Sequence, residues 1–212
     1  MEDINLLIKE IKQSFRQMMD GTIAQSMRDK GVNYHLNWGA TIPRLKDKAE
    51  ELREQTPTTD DQYTLAIALW KENVRECKIL ATMLMPADRI LPEVVDIWME
   101  QIPSQEIAEQ AAFNLWQHLP FAAEKAFQWI ASEREYDQLC GFHVLSRLMM
   151  NCQEPNERGI NELLDQSIAA LQGPFPSVRK AAMQSVQRFA ELGLVYERLA
   201  KSAMKSINLD FF

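Results

Sequence analysis

Apolar residues recur at spacings of three and four along almost the whole chain, which is the pattern of a helix that buries one face. The first segment has apolar side chains at Ile4, Leu7, Ile8, Ile11, Phe15 and Met18, and Gly21 is predicted to end it. Further along, prolines separate segments of roughly 10 to 17 residues, an ordinary helix length in globular proteins. No segment alternates apolar and polar residues as a half-buried strand does. The periodicity therefore predicts an all-α fold.

Two helix starts are marked by local residues. Thr41 and Pro43 are typical of a helix N-terminus, so IPRLKDKAEELREQ (42–55) is predicted to be helical. The TPTTDD segment (56–61) is predicted to be a break whose hydroxyls and carboxylates cap the next helix.

The openings of four helical segments resemble one another. The segments are NVRECKILATML from Asn73, EIAEQAAFNLWQHL from Glu106, EYDQLCGFHVLSRLM from Glu135 and SVRKAAMQSVQRF from Ser177. When Val74, Ile107, Tyr136 and Val178 are aligned, the offsets are 33, 29 and 42 residues. Such spacings suit stacked helix pairs, in which each pair buries its apolar stripe against its neighbours.

In HEAT-type repeats this position opens the second helix of a pair, and small residues follow where helices pack closely. Cys77, Cys140 and Ala181 or Ala182 fit that place. We therefore predict a HEAT-like α-solenoid of stacked antiparallel helix pairs that forms a single domain over residues 1–212. An irregular helix bundle, in which the similarity of the segments is fortuitous, is the alternative.

Charge is unevenly distributed along the chain, which has a formal net charge of −7. Residues 88–165 carry 5 basic and 14 acidic side chains, whereas residues 174–206 carry 6 basic and 2 acidic ones. Because phosphate contacts dominate affinity for nucleic acids, a binder of DNA usually presents a basic face. Only the C-terminal segment has that character.

The compartment is predicted from what the sequence lacks. No apolar run reaches the roughly 18 to 20 residues that cross a bilayer, so we expect no membrane association. The N-terminal MEDINLLIKEIKQSF does not have the basic and apolar regions of a signal peptide. The three cysteines, Cys77, Cys140 and Cys152, form no disulfide framework. A reducing, cytoplasmic environment is therefore expected.

Two stretches carry a resemblance to a known family. GVNYHLNWGATIPRLKDKAEEL (31–52) joins an aromatic and glycine segment to a helix with proline and basic residues. LAIALWKENVRECKILATMLM (65–85) contains Leu69 and Trp70, followed by Arg75 and Glu76. In this order the stretches resemble the DNA alkylation repair glycosylases built on HEAT-like repeats. The resemblance implies hydrolysis of the N-glycosidic bond of alkylated purines, with a carboxylate stabilising the sugar cation.

The functional positions of that family are only partly matched. The resemblance puts Gln105 where the family has a tryptophan and Glu109 where it has the catalytic aspartate. Leu139 falls at the family arginine and Gln184 at a later tryptophan. Only Glu109 keeps its chemistry, so the resemblance implies a divergent member that binds DNA with weak or no base excision. A solvated glutamate on a helix surface is the alternative interpretation of Glu109.

Basic residues of the C-terminal segment are the candidates for contact with DNA phosphates. These are Arg179, Lys180 and Arg188. Arginine at this position of a HEAT repeat also braces the next repeat, and both interpretations stay open for the three residues. Arg75 occupies the same repeat position as Arg179 and is interpreted as a structural brace.

No metal or cofactor site is predicted. Cys140, His143 and Cys152 lie on and just after one apolar helix without a fourth ligand, which favours core packing over zinc binding. The sequence has no glycine-rich phosphate loop.

Two classes of function remain open at this point. A groove lined by basic residues would favour DNA, and the candidates are Arg75, Lys78, Arg147, Arg179, Lys180 and Arg188. A groove dominated by the acidic middle of the chain would favour a non-catalytic solenoid that holds a protein or peptide. The sequence does not determine the oligomeric state.

Overall fold

The computed structural model describes residues 4–29, 32 and 34–209. Over these residues the fold is helical, and its β-structure is one isolated bridge between Leu36 and Val74. The α-helices are α1 (Ile4–Ser14), α2 (Gly21–Asp29), α3 (Ile42–Gln55), α4 (Thr59–Lys71), α5 (Arg75–Leu84), α6 (Pro92–Glu100), α7 (Gln105–Asn114), α8 (Ala122–Ile130), α9 (Glu135–Met150), α10 (Glu157–Gln172), α11 (Pro176–Ala190) and α12 (Leu194–Lys205). A short 3₁₀ helix covers Trp116–His118. The predicted all-α class is confirmed.

The marked helix start before α3 is also confirmed, and the predicted break at 56–61 does supply the cap of α4, although α4 already begins at Thr59. Helix α3 begins directly after Thr41 with Pro43 in its first turn. The Thr58 hydroxyl accepts a hydrogen bond from the Asp61 amide at 3.1 Å and so caps α4. The residues that mark these starts act through local contacts, which is why the sequence alone identified them.

The N-terminal segment differs from the prediction. Gly21 begins α2 instead of ending the first helix, and α1 already stops at Ser14. The start of α2 is explained by Asp20, whose carboxylate accepts the amides of Thr22 and Ile23 at 3.0 and 3.1 Å. This cap satisfies amides of the first turn that have no partner inside the helix.

The chain folds into two compact units, one up to Leu115 and the other from Trp116 onward. In the first unit α4 packs on α5, and α5 packs on α7. Helices α5 and α7 run in the same direction, because Arg75 contacts Glu106 near their starts and Asn114 contacts Thr82 near their ends. The predicted single domain over residues 1–212 stays a prediction.

In the second unit, α8 packs on α9, α10 on α11, and α11 on both α9 and α12. Near the starts of α9 and α11, the Ser177 hydroxyl donates to Glu135 at 2.6 Å. The pairing of alternate helices in both units is the arrangement expected of stacked helix pairs.

The aligned repeat positions all fall near the starts of alternate helices. Val74 is the N-cap of α5, Ile107 and Val178 are the third residues of α7 and α11, and Tyr136 is the second residue of α9. The small residues predicted at close helix contacts, Cys77, Cys140, Ala181 and Ala182, are all buried. The HEAT-like repeat fold is thus confirmed. Among the described residues, no helix is long and apolar enough to cross a membrane.

Candidate nucleic-acid interface

A buried ionic network occupies the start of α5 in the first unit. Arg75 is 2% exposed and binds Glu106 through two hydrogen bonds, Nε to Oε2 at 2.8 Å and Nη2 to Oε1 at 2.6 Å. Its Nη1 donates to the Ala40 carbonyl at 2.8 Å and to Glu76 Oε1 at 3.0 Å. Because Glu106 belongs to the next repeat, the interpretation of Arg75 as a brace is confirmed.

The same network fixes the segment that precedes α3. Glu76 Oε1 accepts the amides of Trp38 and Ala40 at 3.1 and 3.2 Å. The Tyr34 hydroxyl donates to Glu106 at 2.7 Å, and burial together with the Glu106 charge raises the Tyr34 pKa. Burial by itself would raise the Glu106 pKa, but Arg75 and Tyr34 outweigh it and hold that pKa below its ordinary value. The ionised network therefore attaches residues 34–40 to α5 and α7.

Lys78 is also an internal residue. Its Nζ donates to the Trp70 carbonyl at 2.9 Å and lies 4.5 Å from the centroid of the Trp70 ring. Burial lowers the Lys78 pKa. Arg75 and Lys78 were candidates for a basic groove, but both side chains are buried and engaged. Arg75 and Lys78 therefore do not contribute to a basic groove.

The carboxylate candidate Glu109 lies one turn into α7. It is half-buried, and its Oε1 accepts a hydrogen bond from Gln105 Nε2 at 2.8 Å. Gln105, the first residue of α7, occupies the position where the family resemblance expects a tryptophan. A polar amide thus neighbours this carboxylate where an aromatic ring is expected. The catalytic role of Glu109 stays a prediction.

The other two positions from the family resemblance differ in their surroundings. Leu139 is 1% exposed, so its side chain belongs to the core of the second unit. Gln184 is exposed on α11. Neither residue supplies the cation or the aromatic ring that the resemblance expects there.

A basic face forms on α9 and α11 of the second unit. Arg147 follows His143 by one turn of α9, and Lys180 lies on α11, which packs against α9. Burial lowers the His143 pKa to about 4, and the positive charges of Arg147 and Lys180 lower it further. Lys180, Gln184 and Arg188 follow at successive turns of α11 and so share one side of the helix. We call Arg147, Lys180 and Arg188 the α9–α11 basic face.

The three predicted phosphate contacts are not equivalent. Lys180 is exposed. Arg188 forms an ion pair at 2.6 Å with Glu191, and its side chain is 42% exposed. Arg179 donates from Nη1 to the Gly173 carbonyl at 2.6 Å, which braces the turn before its own helix. Of the three residues predicted to contact phosphates, Lys180 and Arg188 are therefore available to a ligand, whereas Arg179 has a structural contact.

Potential metal ligands do not cluster in the described part of the chain. No group of three or more His, Cys, Asp or Glu side chains there could hold a metal ion. Cys140 is buried in α9, and the exposed Cys152 lies beyond the end of that helix with φ of 58°.

The comparison with protein families identifies the chain. The family described as DNA alkylation repair enzyme matches residues 11–190, which is most of the sequence. The chain belongs to this family.

One solved structure is similar over almost the whole chain. It comes from a new family of proteins related to the HEAT-like repeat DNA glycosylases with affinity for branched DNA structures. The TM-score is 0.77 at 14% identity, and the match covers 94% of this chain and 82% of the other. At this identity the likeness shows the fold. No curated protein is significantly similar to the chain.

Sequence reasoning missed two groups of residues in this family member. His143 is largely buried, in agreement with its interpretation as a core residue, but the positive charges of Arg147 and Lys180 near it were not predicted. Tyr34 and Ser104 were not singled out, although their side chains meet at 2.7 Å next to Glu106. No local pattern could have found that contact, because the two residues are 70 positions apart.

Proposed function

We propose that this member of the DNA alkylation repair family binds DNA and excises alkylated bases weakly or not at all. The observation that carries the proposal is the α9–α11 basic face. It places Lys180 and Arg188 at the surface of an otherwise acidic protein, with Arg147 nearby. Such a face can attract phosphates although the net charge of the chain is negative.

The relative of similar fold supports the class of ligand. Its family is described as having affinity for branched DNA structures, and we propose DNA with a branch as a ligand of this chain as well. The family membership favours DNA over a protein or peptide held by the repeat fold. Because the proposed ligand lies inside the cell, we also propose a cytoplasmic location.

Weak or absent excision follows from the residues around Glu109. Base excision requires the sugar to be held against a carboxylate, and misplacement by about 1 Å costs on the order of 100-fold in rate. Here the neighbour of Glu109 is the amide of Gln105, and Leu139 is buried in the core. The family resemblance expects an arginine at Leu139 and tryptophans at Gln105 and Gln184. None of these three residues supplies a cation or an aromatic ring to position DNA.

Charge reversal on the basic face tests the proposal. In Lys180→Glu and Arg188→Glu, we expect weaker binding of a blunt duplex. The affinity of each variant should also fall less than that of the natural chain when salt is raised from about 50 to about 200 mM. Each lost phosphate contact should reduce the slope of log K against log salt by about one. Fluorescence anisotropy with a labelled duplex measures both quantities.

The matched control is Lys205→Glu, which makes the same charge change at an exposed position of α12 in the same unit. It should retain the affinity of the natural chain to within about twofold, because long-range effects between exposed charges are screened by salt. Equal losses in Lys180→Glu and Lys205→Glu would mean that overall charge, and not this face, governs binding. If the natural chain does not bind DNA at low salt, the proposal is wrong.

A further inference from the structure

A second basic surface surrounds a cavity in the first unit. The cavity has a volume of about 470 Å³, within the range of roughly 300 to 1,000 Å³ typical of ligand pockets. It lies between α1, the end of α4 and the segment before α3, and its walls include Lys9, Lys12, Arg16, Trp38 and Glu72. We call it the α1 pocket.

Three cations and one carboxylate line the α1 pocket. Lys9, Lys12 and Arg16 follow one another at spacings of three and four, which places them on one side of α1 and the turn after it. Lys12 forms an ion pair with Glu72 at 2.7 Å. Lys9 and Arg16 are exposed, and no ion pair joins either of them to another described residue. The pocket therefore has an excess of positive charge, and Glu72 fixes the position of Lys12.

Trp38 forms an aromatic wall whose backbone is held in place. Its amide donates to the buried Glu76 at 3.1 Å, and its carbonyl accepts the Asp20 amide at 3.0 Å. The indole Nε1 is enclosed and has no hydrogen-bond partner among the described residues. The two backbone hydrogen bonds thus hold an aromatic ring beside three cations in the wall of the pocket.

Basic side chains beside an aromatic ring are the combination that binds single-stranded nucleic acid, since phosphates pair with the cations and bases stack on the ring. We propose that the α1 pocket binds the unpaired strand of a branched or tailed DNA. The phosphates contact Lys9, Lys12 and Arg16, and one base lies against Trp38. The inference rests on the proposed DNA-binding function and extends it, because duplex binding is assigned to the second unit and strand binding to the first.

Three labelled DNAs distinguish the two surfaces: an oligothymidine, a blunt duplex and a forked duplex with thymidine tails. Lys9→Glu and Arg16→Glu should each weaken binding of the oligothymidine and of the forked duplex by about 10-fold. Binding of the blunt duplex should stay within about twofold of the natural chain. Trp38→Leu should also weaken oligothymidine binding, with circular dichroism reporting whether the fold is retained.

The matched control is Lys46→Glu, which makes the same change at an exposed position of α3 outside the pocket. It should leave all three affinities unchanged, and a loss equal to that of Lys9→Glu would overturn the pocket proposal. Blunt-duplex binding without oligothymidine binding would also overturn it, while the proposed function would stand. Oligothymidine binding that Lys9→Glu weakens, without duplex binding, would support the pocket and contradict the basic face on α9 and α11. If no DNA is bound, both proposals fail.

Discussion

At the scale of single residues, Arg75 forms several polar contacts within the described part of the first unit. It bridges Glu76, Glu106 and the Ala40 carbonyl from a fully enclosed position. Burying these charges is costly, so the network is a weak argument for high stability. The network instead fixes the positions of its neighbours, because the Arg75 guanidinium holds together two repeats and the segment that contains Trp38.

Removing the guanidinium should be strongly destabilising. Arg75→Met leaves Glu76 and Glu106 without their cation, and breaking a buried pair in this way costs about 3 kcal/mol or more. Arg89→Met is the control, since it removes an exposed ion pair with Asp60 and should cost less than about 1 kcal/mol. Urea unfolding followed by circular dichroism measures both values. Similar small losses in the two variants would show that Arg75 is dispensable as a brace.

Glu109 carries the prediction about catalysis. We expect little or no release of 7-methylguanine or 3-methyladenine from methylated DNA, because Gln105 and Leu139 replace the groups that would position the sugar. The assay compares the natural chain with Glu109→Gln. Robust release that Glu109→Gln abolishes would restore the enzymatic function. Release that persists in Glu109→Gln would place the catalytic carboxylate elsewhere.

At the scale of helices, close approach between α8 and α9 depends on the absence of a side chain. A Cβ atom on Gly141 would lie 2.7 Å from Ile130 Cγ2, 2.8 Å from the Ala126 carbonyl oxygen and 2.9 Å from the Ile130 amide nitrogen. Two of these atoms belong to the backbone of α8, so they cannot move without the helix. The packing distance of this pair is therefore set at Gly141.

Gly141→Ala should separate α8 from α9. Alanine has a better helix propensity than glycine by about 1 kcal/mol, but overpacking of a tight contact typically costs about 1 to 3 kcal/mol. We expect net destabilisation by about 1 kcal/mol, measured by thermal or urea unfolding. Gly21→Ala is the control, because a Cβ atom there meets no neighbour within 4 Å. A Gly141→Ala variant as stable as Gly21→Ala would contradict this account of the helix contact.

At the scale of the whole molecule, net charge and local charge have opposite signs. The chain is acidic overall, yet the α9–α11 basic face and the α1 pocket are positive and belong to different units. Because salt screens the long-range field over about 10 Å, nearby cations dominate what a phosphate experiences. The overall acidity therefore does not decide the class of ligand.

The stability of the second unit should depend on pH through His143. Its folded pKa of about 4 is below the ordinary 6.5, so the unfolded chain binds more protons between these values. The neutral His143 makes its full contribution to the free energy of unfolding above pH 6.5. This contribution is lost as pH falls toward 4, by up to about 3 kcal/mol. His143→Gln should flatten this part of the stability profile, measured by urea unfolding between pH 7 and 4. His118→Gln removes an exposed histidine of the same unit, and an identical flattening there would contradict the assignment to His143.

Local and periodic features were sufficient to predict the helical class and several helix starts from the sequence, although the division between α1 and α2 was predicted wrongly. The bounds of α3, the cap of α4 and the positions of Val74, Ile107, Tyr136 and Val178 near helix starts follow from contacts within a few residues and from repeating apolar faces. The family resemblance depended on the same segments. Each of these features depends on neighbouring residues or on regular spacings along the chain, so it could be predicted without the tertiary structure.

Only the tertiary structure decided which charged residues can meet a ligand. Arg75 and Lys180 are both basic residues near the starts of helices, yet Arg75 is enclosed by groups up to 35 positions away and Lys180 is exposed. The α1 pocket likewise joins Lys9 to Trp38 and Glu72. Whether a charged side chain is buried depends on the packing of segments that are distant in sequence. The apolar periodicity of a helix does not specify which other segment packs over its polar face.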